Sequence, residues 1–220
     1  MLILGIDDAG RGPLIGPMFL AGVLVEKDKE KELKEIGAED SKTLTHPTRI
    51  RLSKEIMQRV VGFHVERTDA NDIDSSILSG TNLNTLEAKK AANIINTLTK
   101  GKKDTILVIV DCPSVNTQAW RKTLMSFVQT DADIEVVCEH KADANYPSVS
   151  AASILAKVAR EDSVTELKKK FGDFGSGYPS DPYTKEFLKK QGSALKDSGL
   201  FRKTWATWKA VFPDSEQQTL

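Results

Sequence analysis

The stretch Leu2–Pro17, reading LILGIDDAGRGPLIGP, decides the fold expected for this chain. A short apolar run opens it, two carboxylates follow at Asp7 and Asp8, and a glycine-rich turn occupies residues 10–13. Apolar residues resume over Met18–Val25, so the pattern predicts a buried strand, a turn and a second strand folding back beside the first. Charges at the end of a buried strand are costly unless they are paired, and a divalent cation is a suitable partner. The alternative is a tight hairpin with solvated turn residues.

The turn itself is suited to a ligand. Its glycines let backbone N–H groups approach closely, and Arg11 can reach a phosphate. It is not a phosphate-binding P-loop, because no Gly-Lys-Ser/Thr follows. It is not the dinucleotide fingerprint either, because a third glycine at the required spacing is missing.

Composition indicates an ordinary globular protein. At 220 residues, with 40% hydrophobic and 28% charged residues, we expect one compact domain, or one with a small appendage. The 31 basic and 31 acidic residues cancel, which does not indicate a globally basic nucleic-acid binder. Cys112 and Cys138 are expected to be buried reduced thiols. Neither a signal peptide nor a membrane span is predicted, so a cytoplasmic protein is expected.

The remaining elements are predicted from apolar spacing and turn residues. Strands are expected at residues 60–65, 105–110 and 134–138. Helices are expected at residues 47–59 with Thr45 as the cap, at 82–100, at 116–129, and at 150–170 with Pro147 in the first turn. Residues 68–79, rich in Asp, Asn and Ser, are expected to form a loop with a helical turn.

Four aspartates form the candidate chemistry. Two apolar runs end in Asp7 and Asp111, and neighbouring parallel strands would bring both to one edge of a sheet. Asp143 lies between a strand and a helix, and Asp8 can share the site only where the strand ends or through its carbonyl. Asp111 as a turn cap and Asp143 before a helix N-terminus are the structural alternatives. Together the four fit a Mg²⁺ or Mn²⁺ site suited to two-metal phosphodiester hydrolysis.

The C-terminal part changes character. Three glycines and two prolines in Phe171–Tyr183 predict a joint between units. Residues 185–209 are then expected to be helical, with seven basic against two acidic residues. With Phe201, Trp205 and Trp208, this segment either lines a nucleic-acid groove or presents a charged face over a small aromatic core.

GIDDAGRGP at residues 5–13 resembles the opening of type 2 ribonuclease H, or ribonuclease HII, which usually has Asp-Glu-Ala-Gly-Arg-Gly. Further stretches resemble the archaeal branch: DSK at 40–42, VDCP at 110–113, EHKAD at 139–143, YPSVSAASILAKVAR at 146–160 and FGDFGSGYPSDP at 171–182. The similarity runs from residue 3 to about residue 209.

The resemblance implies an α/β protein with an RNase H-like fold: a five-stranded mixed sheet flanked by helices, with a C-terminal helical extension. It implies a catalytic domain at 1–172 and a substrate-binding extension with a short tail at 173–220. The implied activity is endonucleolytic cleavage of the RNA strand of RNA–DNA hybrids, and of duplex DNA 5′ to a single embedded ribonucleotide. Two divalent ions, Mg²⁺ or Mn²⁺, would leave 3′-hydroxyl and 5′-phosphate ends.

The resemblance also assigns residues. Catalytic and metal-binding roles fall on Asp7, Asp8, Asp111 and Asp143. Substrate-binding roles fall on Gly10, Arg11 and Gly12, which would read the 2′-hydroxyl, on Tyr178, which would pack on the deoxyribose after the ribonucleotide, and on Lys42, which would contact phosphate. Asp8 stands where the family has Glu and is one methylene shorter. We expect retained activity that is weaker or altered in metal preference.

The expected partners are RNA–DNA hybrid and ribonucleotide-containing duplex DNA, bound by a monomer. Gln217–Leu220 matches the first half of a sliding-clamp-binding segment, so the tail is either a shortened clamp motif or a disordered polar terminus. Two alternatives stay open. Another nuclease of the same fold, such as an exonuclease or integrase, would lack the GRG segment and the tyrosine of GYPS. A non-catalytic hybrid-binding protein is favoured only by Asp8.

Overall fold

The computed structural model describes residues 1–38 and 44–213, so the predictions on Lys42 and Gln217–Leu220 lie outside the described residues. The strands are β1 (Leu2–Ala9), β2 (Met18–Glu26), β3 (Gly62–Thr68), β4 (Thr105–Asp111) and β5 (Asp133–Glu139). The helices are α1 (Glu30–Glu35), α2 (His46–Arg59), α3 (Ala70–Leu78), α4 (Leu83–Thr99), α5 (Thr117–Met125), α6 (Ala142–Asn145), α7 (Pro147–Phe171), α8 (Pro182–Gln191) and α9 (Ala206–Val211). None of the helices within these residues is long and apolar enough to cross a membrane.

The five strands form one mixed sheet in the order β3-β2-β1-β4-β5. Strand β1 runs antiparallel to β2 and parallel to β4, and β4 runs parallel to β5. Strands β1 and β2 are almost fully buried, as their continuous apolar sequences predict, and β4 is buried at Ile106 and over residues 108–110. The predicted five-stranded mixed sheet is therefore confirmed, and it places the carboxyl ends of β1 and β4 side by side.

Helices cover opposite faces of this sheet. A β-carbon added at Gly5 of β1 would overlap the backbone of Ser148 at the start of α7. One at Gly22 of β2 would overlap Ile94 of α4 and approach Leu4. Because Leu4 and Gly5 are neighbours in a strand, they face opposite sides. The two glycines thus allow α4 and α7 to approach the sheet closely from either side.

The described residues form two compact units. The first comprises described residues of Met1–Ala9, Phe19–Arg67 and Asn84–Ala159, and the second those of Gly10–Met18, Thr68–Leu83 and Arg160–Leu220. Both units are discontinuous in sequence, whereas the predicted domains meet at a single point after residue 172. That domain division stays a prediction. The segment Phe171–Tyr183, predicted to join two units, lies inside the second one.

An aromatic core organises the second unit. Phe201 is 1% exposed and Trp208 2%, and their ring centroids lie 5.1 Å apart. Phe174 and Phe187 extend the same cluster in an edge-on arrangement. Of the two sequence-based interpretations, the aromatic core is the one found for Phe201 and Trp208. Arg202, which lies between Phe201 and Trp208 in sequence, is fully buried, so it does not belong to a basic surface.

Three predictions of local structure were wrong. Residues 68–79 contain α3 rather than a loop, because Ala70 and Ile73 are buried and Asp74 accepts the backbone N–H groups of Lys203 and Thr204. Tertiary contacts thus stabilise a helix that its polar sequence does not reveal. Helix α5 ends at Met125 instead of 129, and the basic segment 185–209 divides into α8 and α9.

The two cysteines are free, as predicted. Cys112 is buried and Cys138 is half-buried, and burial raises the pKa of the Cys138 thiol to about 12. Such a thiol stays protonated at neutral pH and is unreactive.

The close approach at Gly5 generates a stability prediction. Gly5→Ala should lower the free energy of unfolding by about 1–3 kcal/mol or more, because the new methyl group meets backbone atoms that cannot rotate away. Urea denaturation measures the change. Gly62→Ala is the matched control, since its β-carbon would make only ordinary contact with Leu98 at 3.4 Å. Equal stability of the two variants would contradict the close packing of α7.

Candidate active site

Asp7 and Asp8 lie where β1 stops pairing with β4. Pairing of β1 with β4 ends at Ile6, opposite Val110, whereas pairing with β2 continues to Ala9. On the β4 side the strand ladder therefore opens at Asp7. Asp7 is only 6% exposed, and its Oδ1 accepts the backbone N–H of Asp8 at 2.7 Å. Asp7 and Asp8 thus lie beyond the last residue pair of β1 with β4 but still within β1, which continues to Ala9 beside β2.

A small cavity collects the carboxylates of the strand ends. It is lined by Asp7, Asp8, Asp111 and Glu87, together with Ile6, Leu20, Val110, Pro113 and Trp120. Parallel pairing of β1 with β4 therefore brings Asp7, Asp8 and Asp111 together, as their positions after apolar runs predict.

Glu87 of α4 was missed by sequence analysis. It is 1% exposed and contributes to the same cavity. The signal was its spacing: Glu87 is four residues from both Leu83 and Ala91, on the apolar face of the helix. Amphipathic helices place apolar residues on the buried face, so a carboxylate there departs from the pattern. Such a departure indicates a candidate functional residue.

Asp143 lies on the short helix α6, next to this cluster in the fold. The backbone N–H of Ala142 donates to Asp111 Oδ1 at 3.1 Å, which ties the start of α6 to the end of β4. Lys141 precedes α6 with φ of 58°, a left-handed conformation that no other non-glycine residue among the described ones adopts. Asp143 is buried and lines a separate cavity with Lys34 and with residues of α6 and α7.

The cluster is a strongly acidic environment. Burial, with the negative charges of Asp8 and Asp111, raises the pKa of Asp7 from 3.8 to about 8, although a hydrogen bond from Ser153 acts in the opposite direction. Desolvation and like charges both disfavour ionisation, and a cation relieves both. The donor set contains only oxygen, which suits hard divalent ions. Within residues 1–38 and 44–213, three or more such side chains do not converge closely enough to form a metal centre in this arrangement.

The glycine-rich turn belongs to the second unit, where Arg202 holds its backbone. The Arg202 guanidinium donates to the carbonyl oxygens of Gly10, Arg11 and Gly16 at 2.6, 2.7 and 3.0 Å. Trp205 Nε1 donates to the Gly12 carbonyl at 3.1 Å. Three carbonyl groups of the turn, and that of Gly16 just after it, are thus fixed by side chains far away in sequence. Neither Arg202 nor its role is indicated by local pattern, since a single arginine in a basic segment carries no signal.

Tyr178 lies beside this turn in the same unit. The residue is 38% exposed, and a β-carbon added at Gly12 would be 3.5 Å from Tyr178 Cε1. Gly10 has φ of +84°, a conformation that favours glycine. The structure therefore brings Gly10, Gly12 and Tyr178 together, as the assigned reading roles require. Arg11 is half-buried.

Substituting Asp7 tests the electrostatics of the cavity. Because its folded-state pKa is raised, ionisation of Asp7 destabilises the protein progressively between pH 4 and pH 8, and fully above pH 8. In metal-free buffer, Asp7→Asn should therefore raise the melting temperature above pH 8 by a few degrees, at about 2–4 °C per kcal/mol for this chain length. The gain should shrink as the pH falls towards 4.

The same variant should bind Mn²⁺ at least about tenfold more weakly in calorimetric titration. Asp104→Asn, an exposed position before β4, is the matched control. A melting temperature of Asp7→Asn that follows the parent at every pH would refute the electrostatic account.

Comparison with known proteins places this arrangement in a family. The family model described as Ribonuclease HII matches residues 4–208. Ribonuclease HII of Methanocaldococcus jannaschii is 38% identical over 232 residues, covering 100% of this chain and 99% of that protein. The crystal structure of ribonuclease H2 from Pyrococcus horikoshii OT3 has a TM-score of 0.85 at 35% identity, covering 96% of this chain and 97% of the other.

Two further structures are similar. The PCNA:RNase HII complex from Archaeoglobus fulgidus gives a TM-score of 0.81 at 36% identity, covering 93% of this chain and 95% of the other. Bst-RNase HIII in complex with Mn²⁺ gives 0.78 at 19% identity, covering 99% of this chain and 71% of the other, a likeness of fold alone. With a family model over nearly all of its length and archaeal relatives at this identity, the chain belongs to the archaeal branch of the ribonuclease HII family and is a ribonuclease H enzyme.

Proposed function

We propose that this enzyme hydrolyses the RNA strand of RNA–DNA hybrids and also cuts duplex DNA 5′ to a single embedded ribonucleotide, leaving 3′-hydroxyl and 5′-phosphate ends. The observation that carries the proposal is the order of the chain at the end of β1. The buried carboxylate Asp7 is followed three residues later by Gly10, the start of a turn held by Arg202. Asp7, a candidate metal ligand, and Gly10, in the turn assigned to recognition of the 2′-hydroxyl, are thus close neighbours in the chain.

The carboxylates support a divalent-metal reaction. Asp7, Asp8, Asp111 and Asp143 would hold two Mg²⁺ or Mn²⁺ ions, and the Mn²⁺ complex of Bst-RNase HIII is consistent with this at the level of the shared fold. When bound, such ions activate the attacking water and stabilise the leaving oxygen. The chain's own contribution is to orient the ligands: Ser153 hydrogen-bonds Asp7, and the Ala142 N–H holds Asp111.

The turn and Tyr178 support recognition of the ribonucleotide. With their carbonyl groups bound by Arg202, Gly10 and Arg11 present their peptide groups in fixed orientations. Such rigid polar groups suit a hydroxyl that distinguishes RNA from DNA. The exposed ring of Tyr178 would pack on the deoxyribose that follows, and Lys42 would contact a phosphate.

A duplex DNA with one ribonucleotide, labelled at the 5′ end of that strand, tests the proposal in Mg²⁺ and separately in Mn²⁺. We expect a single cut 5′ to the ribonucleotide, and a loss of about a thousandfold in Asp7→Asn, since several kcal/mol of transition-state stabilisation depend on the metal site. Asp104→Asn should cleave like the parent. Tight binding without cleavage in either metal would favour the hybrid-binding alternative.

The two metals also test Asp8. Cleavage in Mn²⁺ alone, with activity in Mg²⁺ restored by Asp8→Glu, would attribute an altered metal preference to the shorter side chain. Unchanged kinetics of Asp8→Glu in both metals would mean that the missing methylene group has no effect.

The tail supports a sliding clamp as partner, with the PCNA complex of the Archaeoglobus fulgidus enzyme as the precedent. We expect the full chain to bind the clamp of its own organism in a titration, and deletion of residues 217–220 to abolish binding. Equal binding by the truncated chain would contradict a clamp motif in the tail. A monomeric state and a cytoplasmic location stay predictions.

A further inference from the structure

Arg160 of α7 contacts both the glycine-rich turn and Tyr178, to which recognition of the ribonucleotide is assigned. On one side, a β-carbon added at Gly10 would lie 2.9 Å from Arg160 Cδ and 3.0 Å from its Nε, so the arginine stem occupies the space that a side chain would take. On the other side, the guanidinium carbon lies 5.1 Å from the centre of the Tyr178 ring. The stem of one residue therefore spans the distance between the turn and the tyrosine.

The guanidinium is itself anchored. Its Nη2 donates to the carbonyl oxygen of Ser176 at 3.1 Å, two residues before Tyr178. The loop that carries Tyr178 is held independently, because Thr184 accepts the N–H of Gly177 and donates to the Phe174 carbonyl. A planar cation fixed to the backbone beside an aromatic ring restricts the positions that the ring can take.

Tyr178 needs such support because its ring is only partly packed. It is 38% exposed, and its contact on the side of the turn is with Gly12, which offers no side chain. Arg160 supplies a flat surface that a glycine cannot. Loss of the guanidinium would remove this contact and give the ring more rotational freedom, and positioning a group against substrate depends on restricting that freedom.

We infer that Arg160 is a specificity-determining positioning residue, which sets the Tyr178 ring relative to the Gly10–Gly12 turn and so favours a ribonucleotide followed by a deoxyribonucleotide. This inference rests on the proposed function of the turn and of Tyr178. It assigns Arg160 an effect on the choice between substrates, exerted through the tyrosine. A direct phosphate contact by the arginine is the competing account, and it would act without the tyrosine.

A double-mutant cycle with Arg160→Lys and Tyr178→Ala separates the two accounts. Lysine keeps the charge and much of the stem but lacks the planar group that stacks on the ring. For each variant, kcat/KM is measured on duplex DNA with one ribonucleotide and on an RNA–DNA hybrid. Arg51→Lys, an exposed arginine of α2, is the matched control and should leave both values unchanged.

We expect Arg160→Lys to lower kcat/KM on the single ribonucleotide by about fivefold to tenfold, the loss of one stacking contact, and to lower hybrid cleavage less. In the Tyr178→Ala background the same substitution should have almost no further effect, since the group it positions is absent. Retained hybrid cleavage shows that the variant is folded, and thermal melting checks this independently.

Two results would overturn the inference. An equal loss on both substrates would make Arg160 a general structural or phosphate-binding residue. An undiminished loss in the Tyr178→Ala background would show that it acts without the tyrosine.

If the parent enzyme fails to cut at a single ribonucleotide, the proposed function fails first and the inference fails with it. Normal cutting by the parent with an unchanged ratio in Arg160→Lys would remove the inference alone.

Discussion

The parallel pairing of β1 with β4 is the constraint on which the candidate chemistry depends. Both strands are apolar and buried, so their first polar residues emerge together at the carboxyl edge of the sheet. Pairing stops at Ile6, and the next residue is Asp7. The end of the ladder therefore produces a cavity with carboxylates on its wall. The raised pKa of Asp7 is the energetic consequence, because the packing that stabilises the sheet also desolvates the carboxyl group.

The second unit solves a different physical problem, which is to keep a glycine-rich segment in one conformation. Glycines give the turn its close approach and its positive φ at Gly10, but they also give it conformational freedom. Arg202 counters that freedom by donating to three carbonyl groups from a fully buried position. The cost of burying its charge is offset by these hydrogen bonds and by contact with Trp205, 5.0 Å from the guanidinium.

Arg202 and Arg160, both in the second unit, have different effects on the glycine-rich turn and Tyr178. Arg202 fixes the backbone of the turn from within the core, so its loss would affect the fold. Arg160 lies nearer the surface and contacts Tyr178 and Gly10, so its effect falls on the relative placement of side chain and turn. One arginine thus holds the backbone of the turn, and the other contacts the side chain beside it. Functional sites commonly depend on such supporting residues to hold the groups that contact a ligand.

The sequence by itself determined the strands and the long helices, because strand periodicity and apolar runs are local properties. It also showed that two apolar runs end in Asp7 and Asp111, but the pairing of β1 with β4 that brings these residues together is a tertiary contact. It also indicated the turn and Tyr178, through motifs shared with a family. Only the tertiary structure decided the roles of Glu87, Arg160 and Arg202, the helical state of residues 70–78 and the burial of Trp208. The physical reason is that each of these depends on partners distant in the chain, such as Asp74 with Thr204 or Arg202 with Gly10, and no local pattern encodes a contact of that kind.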